Sequence, residues 1–138
     1  EVWTKERLPE LLAISDVVNV CTPLTDETRN MFNTDSFKLM KPTAYLLNVT
    51  RGEVMEENAL IEALRSGTIR GAALDVAPRE PLPPESPLWS MPNVVMTPHT
   101  AGASQFRAAR NIDRFIRNLG NLVNNDPLEG LIDKQLGY

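Results

Sequence analysis

Four short apolar runs, separated by stretches of helical character, constrain this chain more than any other feature of it. The first is Val17-Val18-Asn19-Val20-Cys21, opened by Asp16 and stopped by Thr22-Pro23. The second runs from Ala44 to Val49, the third from Gly71 to Val76, and the last is Val94-Val95-Met96. Runs of this length, bounded by turn residues and rich in β-branched side chains, read as strands. Between them the apolar spacing changes to that of helices. Leu8, Leu11 and Leu12 form one such pattern, with Pro9 in its first turn, where a missing N–H costs nothing. Thr34 reads as the cap of a short helix carrying Phe37, Leu39 and Met40, ended by Lys41-Pro42. Glu56 to Ser66 places Leu60, Ile61 and Leu64 on one face, with Gly67 as the stop. Strands alternating with helices predict an α/β fold, a parallel sheet with crossover helices. Strands this apolar predict burial on both faces of that sheet.

A long loop, residues 77–92, holds six of the eleven prolines. Loops of that length inside a compact domain are usually functional or disordered. After the fourth strand, Phe106, Ile112, Phe115, Ile116, Leu119 and Leu122 recur at helical spacing from about Ser104 to Asn124. Arg107, Arg110, Arg114 and Arg117 occupy the opposite face, which reads as a solvated or subunit-facing stripe. The expected division is residues 1–124 as one nucleotide-binding unit including this helix, and 125–138 as an irregular tail. No Gly-x-Gly-x-x-Gly turn occurs, so the phosphate-binding opening of a dinucleotide fold is not in this stretch. The reading is therefore Rossmann-like, and only the second half of a domain built from two such halves.

Composition narrows the function by exclusion. A net charge of −4 gives no support to nucleic-acid or anionic-membrane binding. No apolar run approaches the roughly 20 residues that span a bilayer. Cys21 is the one cysteine, so no intrachain disulfide is possible, and a reducing, cytoplasmic setting is expected. Its apolar context reads as core, and one cysteine with one histidine builds no zinc site, so no metal is expected. The chain opens Glu1-Val2-Trp3 without methionine, and the expectation is that it starts part-way through a longer protein.

Three polar residues follow strands or lie in the proline loop: Arg51, Glu80 and His99. In an open parallel sheet, residues just past the strand ends collect along one edge. A 2-oxo acid reduced by hydride needs a cation for its carboxylate and a proton donor for its carbonyl oxygen. Arginine suits the first task by its bidentate fork, histidine the second by its pKa. By spacing alone the bland readings stand beside these. His99 can be structural, Glu80 solvated, Arg51 a surface ion-pair partner, and Asp75 either a helix-facing acceptor or a cofactor ligand.

Four segments carry a family resemblance. They are Asp16-Val17-Val18 through Thr22-Pro23-Leu24-Thr25-Asp26-Glu27-Thr28-Arg29, Asn48-Val49-Thr50-Arg51-Gly52, Leu74-Asp75-Val76 with Glu80-Pro81-Leu82-Pro83, and Thr97-Pro98-His99-Thr100-Ala101-Gly102. In order and spacing they resemble the NAD-binding domain of D-isomer-specific 2-hydroxyacid dehydrogenases, which include glyoxylate/hydroxypyruvate reductases and phosphoglycerate dehydrogenases. The resemblance implies Arg51 as substrate-orienting, His99 as proton donor and acceptor, and Glu80 as its carboxylate partner. It implies Asp75 at the nicotinamide carboxamide, Thr22, Pro23, Thr28, Val49, Thr50 and Gly102 lining the rest of an NAD or NADP site, and Arg51 and His99 touching both cofactor and substrate. Formate dehydrogenases fit less well, because they carry glutamine where Glu80 stands. The implied parent is an oxidoreductase acting between NAD(P)H and a 2-oxo acid or D-2-hydroxy acid, as a homodimer, with this chain alone expected to be inactive. The alternatives are an NAD-sensing corepressor-type relative or an inactive fragment of the enzyme.

Overall fold

The structure is a computed structural model and describes residues 1–135. Its one sheet has four strands, β1 (Val17–Val20), β2 (Tyr45–Asn48), β3 (Gly71–Leu74) and β4 (Val94–Met96), in the spatial order of the chain. All three pairings are parallel, with Val18 beside Leu46, Leu46 beside Ala72, and Ala72 beside Val94. Helices α1 (Leu8–Ile14), α2 (Thr34–Leu39) and α3 (Glu57–Arg65) precede or connect the first three strands. The α/β reading from the four apolar runs is thus what the chain forms, with β1, β2, β3 and α3 each one or two residues shorter than read and β4 as read.

One expectation fails. The sheet buries one face only within this unit. Val18, Val20, Leu46, Ala72 and Leu74 are buried with Leu12, Phe37, Leu60 and Leu64 from the three helices. The alternate residues stay open: Val17 is 55%, Tyr45 41% and Val95 67% exposed. Successive strand residues point to opposite faces, so a sheet with helices on one side leaves every second residue uncovered, however apolar the run. Cys21 departs likewise from its core reading. It lies past the end of β1, exposed, where it accepts a hydrogen bond from Asn19 Nδ2 at 3.2 Å.

Local chemistry sets the helix ends. The cap of α2 is Asn33, one residue before the Thr34 expected from the sequence. Its Oδ1 accepts from the Asp35 and Ser36 amides at 3.0 and 3.2 Å, while Ser36 Oγ accepts from the Asn33 amide at 2.7 Å. That reciprocal pair is a capping box with serine in the usual Glu position. Gly67, at φ +74°, turns the chain out of α3 as anticipated.

The chain divides into two compact units, Glu1–Ala101 and a second from Gly102 onward. The sequence reading placed the boundary after residue 124 instead and kept the long helix with the sheet. That helix, α4 (Arg107–Asn124), has no buried residue. Its contacts run to the tail: Arg117 pairs with Glu129 at 3.0 Å, Asn118 Oδ1 accepts from the Glu129 amide at 2.8 Å, and Asn121 Nδ2 donates to the Pro127 carbonyl at 2.9 Å. Asn125, at φ +57°, makes the left-handed turn that sends the tail back. Positions 136–138 of the expected tail lie outside the described residues. No helix among the described residues is long and apolar enough to cross a membrane.

Candidate active site

The turns past β2 and β3 are each shaped by a polar residue at or just after the last strand position. At β2 that residue is Asn48, fully buried. Its Nδ2 donates to the Arg51 carbonyl at 2.8 Å, and its Oδ1 accepts from both the amide and the hydroxyl of Thr50 at 3.0 Å. Those three bonds fix the Val49-Thr50-Arg51 turn. Gly52 then passes so close to the next loop that an added Cβ would sit 1.9 Å from the Ala77 carbonyl carbon. The absence of a side chain there lets the Arg51 turn touch the segment that carries Glu80.

At β3 the corresponding residue is Asp75, 5% exposed. Its carboxylate accepts from the Thr97 hydroxyl, from the Thr100 amide at 2.9 Å and from the Ala101 amide at 2.7 Å. Its main-chain carbonyl accepts from the His99 amide at 2.8 Å. The Thr97 hydroxyl first, then the two amides, hold the Asp75 carboxyl below the ordinary carboxylate value, against the opposing effect of burial. Within this cage His99 adopts φ +54°, the left-handed region, which only a few per cent of residues other than glycine visit, histidine more readily than most.

The ring of His99 meets Glu80. Nδ1 lies 2.7 Å from Glu80 Oε2, and Glu80 Oε1 accepts from the Ala77 amide at 3.0 Å. The hydrogen bond with His99 first, then the Ala77 amide and the charges of His99 and Arg51, keep the Glu80 carboxyl below its ordinary value. An ionised carboxylate only accepts, so Nδ1 carries the proton in this bond and Nε2 is left for other chemistry. Arg51, Glu80 and His99 line one cavity of about 270 Å³ with Gly52, Ala77 and Pro78. Three residues spread over the sequence therefore meet, as the sheet-edge argument requires. A second cavity of about 490 Å³ shares Glu80 and His99 and adds the apolar side chains of Leu82, Trp89 and Met96.

The other anticipated residues sit around this centre rather than in it. Thr22 and Pro23 follow β1, and the Thr22 hydroxyl is buried without a hydrogen-bond partner among the described residues. Thr28 donates its hydroxyl to the Pro23 carbonyl at 2.7 Å and accepts from the Thr25 amide at 2.8 Å, so its polar atom closes that loop. Val49 is 40% exposed, and the Thr50 hydroxyl is committed to Asn48. Gly102 opens the second unit, with no atom within 4 Å of where a Cβ would lie. Asn48 and Thr97 were not singled out from the sequence. The available signal was a polar residue closing an otherwise apolar strand in one case, and a hydroxyl just after a strand in the other.

Residues 1–101 match the family model described as the NAD binding domain of D-isomer specific 2-hydroxyacid dehydrogenases. The chain belongs to this family. It is 42% identical over 129 residues to a glyoxylate reductase of Thermofilum pendens, covering 94% of the chain and 38% of that protein. It is 50% identical over 120 residues to glyoxylate/hydroxypyruvate reductase B of Pectobacterium carotovorum, covering 84% of the chain and 38% of the relative. Among solved structures, an NADPH-dependent glyoxylate/hydroxypyruvate reductase of Sinorhizobium meliloti, in complex with NADP and sulfate, superposes with a TM-score of 0.90 at 35% identity. That superposition covers 99% of this chain and 44% of the other. A D-isomer specific 2-hydroxyacid dehydrogenase of Xanthobacter autotrophicus, in complex with NADPH, gives 0.89 at 42% identity, over 97% of this chain and 55% of the other. The chain thus spans 38% of the length of either reductase named first.

Proposed function

We propose that the protein carrying this chain reduces 2-oxo acids of the glyoxylate/hydroxypyruvate class to D-2-hydroxy acids, with His99 as acid/base, Glu80 as its support and Arg51 as the substrate anchor. The observation that carries the reading is the 2.7 Å His99–Glu80 pair opening into the same cavity as Arg51. When bound, the nicotinamide supplies or accepts the hydride at the 2-carbon. Arg51 holds the substrate carboxylate through two parallel N–H bonds, which turns the 2-oxo group toward His99. His99 gives a proton to the carbonyl oxygen as the alcohol forms, and takes it back in the reverse direction. Glu80 keeps Nδ1 protonated and stabilises the imidazolium before transfer, as a carboxylate bonded to the second ring nitrogen does.

Fit to a nicotinamide cofactor rests on the sheet edge itself. Thr22 offers a buried hydroxyl with no partner among the described residues, and a polar ligand near the end of β1 would satisfy it. Thr22, Pro23, Val49, Thr50, Asp75 and Gly102 are the residues that would line the NAD or NADP site, with Thr28 shaping the loop. Homodimer formation and a cytoplasmic location belong to the same proposal. A single cysteine with no disulfide option supports the second.

The test is His99→Ala in the complete protein, assayed with glyoxylate and hydroxypyruvate. Turnover is expected to fall about 10²–10⁴-fold, the usual share of a positioned acid/base, with a far smaller change in the dissociation constant for NAD(P)H. Near-normal turnover would remove His99 from the chemistry. Absence of 2-oxo acid reduction by the unaltered protein would overturn the reading as a whole.

A further inference from the structure

We infer that Thr97 is a positioning residue: its hydroxyl locks the Asp75 carboxylate into the turn that aims His99 at Glu80. The argument starts from the backbone. His99 lies at φ +54° between Pro98 and Thr100, a conformation that persists when the surroundings over-determine it. Here one residue, Asp75, supplies most of the bonds, beside a contact from the His99 amide to the Thr97 carbonyl at 3.0 Å. Asp75 takes the Thr97 hydroxyl before the histidine, and the Thr100 and Ala101 amides after it. Its carbonyl takes the amide of His99 itself. Four bonds from one residue thus bracket the left-handed position on both sides.

Thr97 is the part of this cage that chooses which way the carboxylate faces. Asp75 Oδ1 is shared by the Thr97 hydroxyl and the Thr100 amide, whereas Oδ2 serves the Ala101 amide. Removing the hydroxyl frees the side of Oδ1 nearest β4 and lets the carboxylate rotate. The two amides then lose their shared acceptor geometry, the turn relaxes toward ordinary backbone angles, and the ring swings off Glu80. The carboxylate that makes these bonds is shielded from solvent whereas the ring it aims is not: Asp75 is 5% exposed, against 45% for the His99 side chain. The charged groups facing the ring are Glu80 at Nδ1, the Asp75 carboxylate behind the turn, and Arg51 and Glu53 across the shared cavity.

The chain has one histidine, so the nitrogen resonances of one imidazole report this geometry without any assay. Long-range proton–nitrogen spectra of the chain would be compared for Thr97→Ser, Thr97→Val and Glu80→Gln, the last marking a ring that has lost its carboxylate. Thr97→Ser is expected to match the parent spectrum through a pH titration, and Thr97→Val to move to the Glu80→Gln pattern. A folded Thr97→Val chain with the parent ring spectrum would overturn the inference. Should Thr97→Val not fold, Asp75→Asn supplies the same comparison, since an amide cannot accept the three bonds at both of its atoms; a parent spectrum there would equally overturn it. The catalytic consequence rests on the reading of His99 as acid/base. In the complete enzyme, Thr97→Val should lower kcat about 10- to 100-fold by misplacing the ring and be rescued by Thr97→Ser. A parent-like kcat with a displaced ring spectrum would refute the acid/base assignment while leaving the clamp standing, so the two failures are separable.

Discussion

The Glu80–His99 pair makes a pH prediction of its own at the scale of single residues. The Glu80 carboxyl is held below its ordinary value near 4.5, with the His99 hydrogen bond as the leading cause. A depressed folded-state value means that the pair contributes fully above the unfolded-state value and is lost as pH falls through the lower folded one. The His99–Glu80 bond is therefore expected to persist from neutral pH to below 4.5 and to break only further into acid. Titrating the ring resonances of His99 against those of a Glu80→Gln chain checks this, since the acid transition should vanish in the variant. Both side chains are exposed by 40% or more, so the pair matters for tautomer and aim rather than for fold stability. Asn48, Asp75 and Gly52 act differently. Each is buried, and each spends its chemistry on shaping a turn that carries a more exposed residue.

Among the elements, α2 shows what the sequence made legible and what it did not. The spacing of Phe37 and Met40 located a short helix after a cap, and both side chains are in the core. The cap itself moved from Thr34 to Asn33, because two neighbouring residues both carry capping oxygens and only the three-dimensional path selects between them. In the same way, Val17, Tyr45 and Val95 could be assigned to strands but not to an open face, since apolar character does not say whether a helix lies above. The site followed the same division. That Arg51, Glu80 and His99 would come together at one cavity was legible from residue type, position after strands and family pattern. Thr97 was not, because its role depends on a hydrogen bond spanning 22 positions of the chain. The reassigned cap is testable. Asn33→Ala removes both bonds from Oδ1, and a loss of about 1 kcal/mol is expected. Urea denaturation of the chain measures it, with Thr34→Ala as the comparison. An equal loss for Thr34→Ala, with Asn33→Ala silent, would restore the cap to the position first read from the sequence.

The whole molecule combines an assembled polar edge with the lack of a Gly-x-Gly-x-x-Gly turn anywhere in its 138 residues. In a dinucleotide fold the pyrophosphate rests on a helix N-terminus reached through that turn, where free backbone amides and the helix dipole meet its charge. On the proposed reading, the edge present here would supply the nicotinamide side of a site: Thr22, the Val49–Arg51 turn, Asp75 and the His99–Glu80 pair. Apart from Arg51, which the proposal assigns to the substrate carboxylate, those contacts are neutral or, through Asp75 and Glu80, negative, and they do not replace the amides that would face two phosphates. The chain on its own is therefore expected to bind NADH weakly, without saturation below about millimolar concentration, which corresponds to roughly −4 kcal/mol. Energy transfer from tryptophan to the reduced nicotinamide follows this directly, because Trp89 lines the cavity that includes His99, and a Trp89→Phe chain identifies its share of the signal. Saturable micromolar binding would contradict the expectation and show that these residues, or two copies of them, assemble a pyrophosphate site by another route. The dependence of the signal on chain concentration separates those cases, since a site shared between copies strengthens as the chain is concentrated whereas a site within one copy does not.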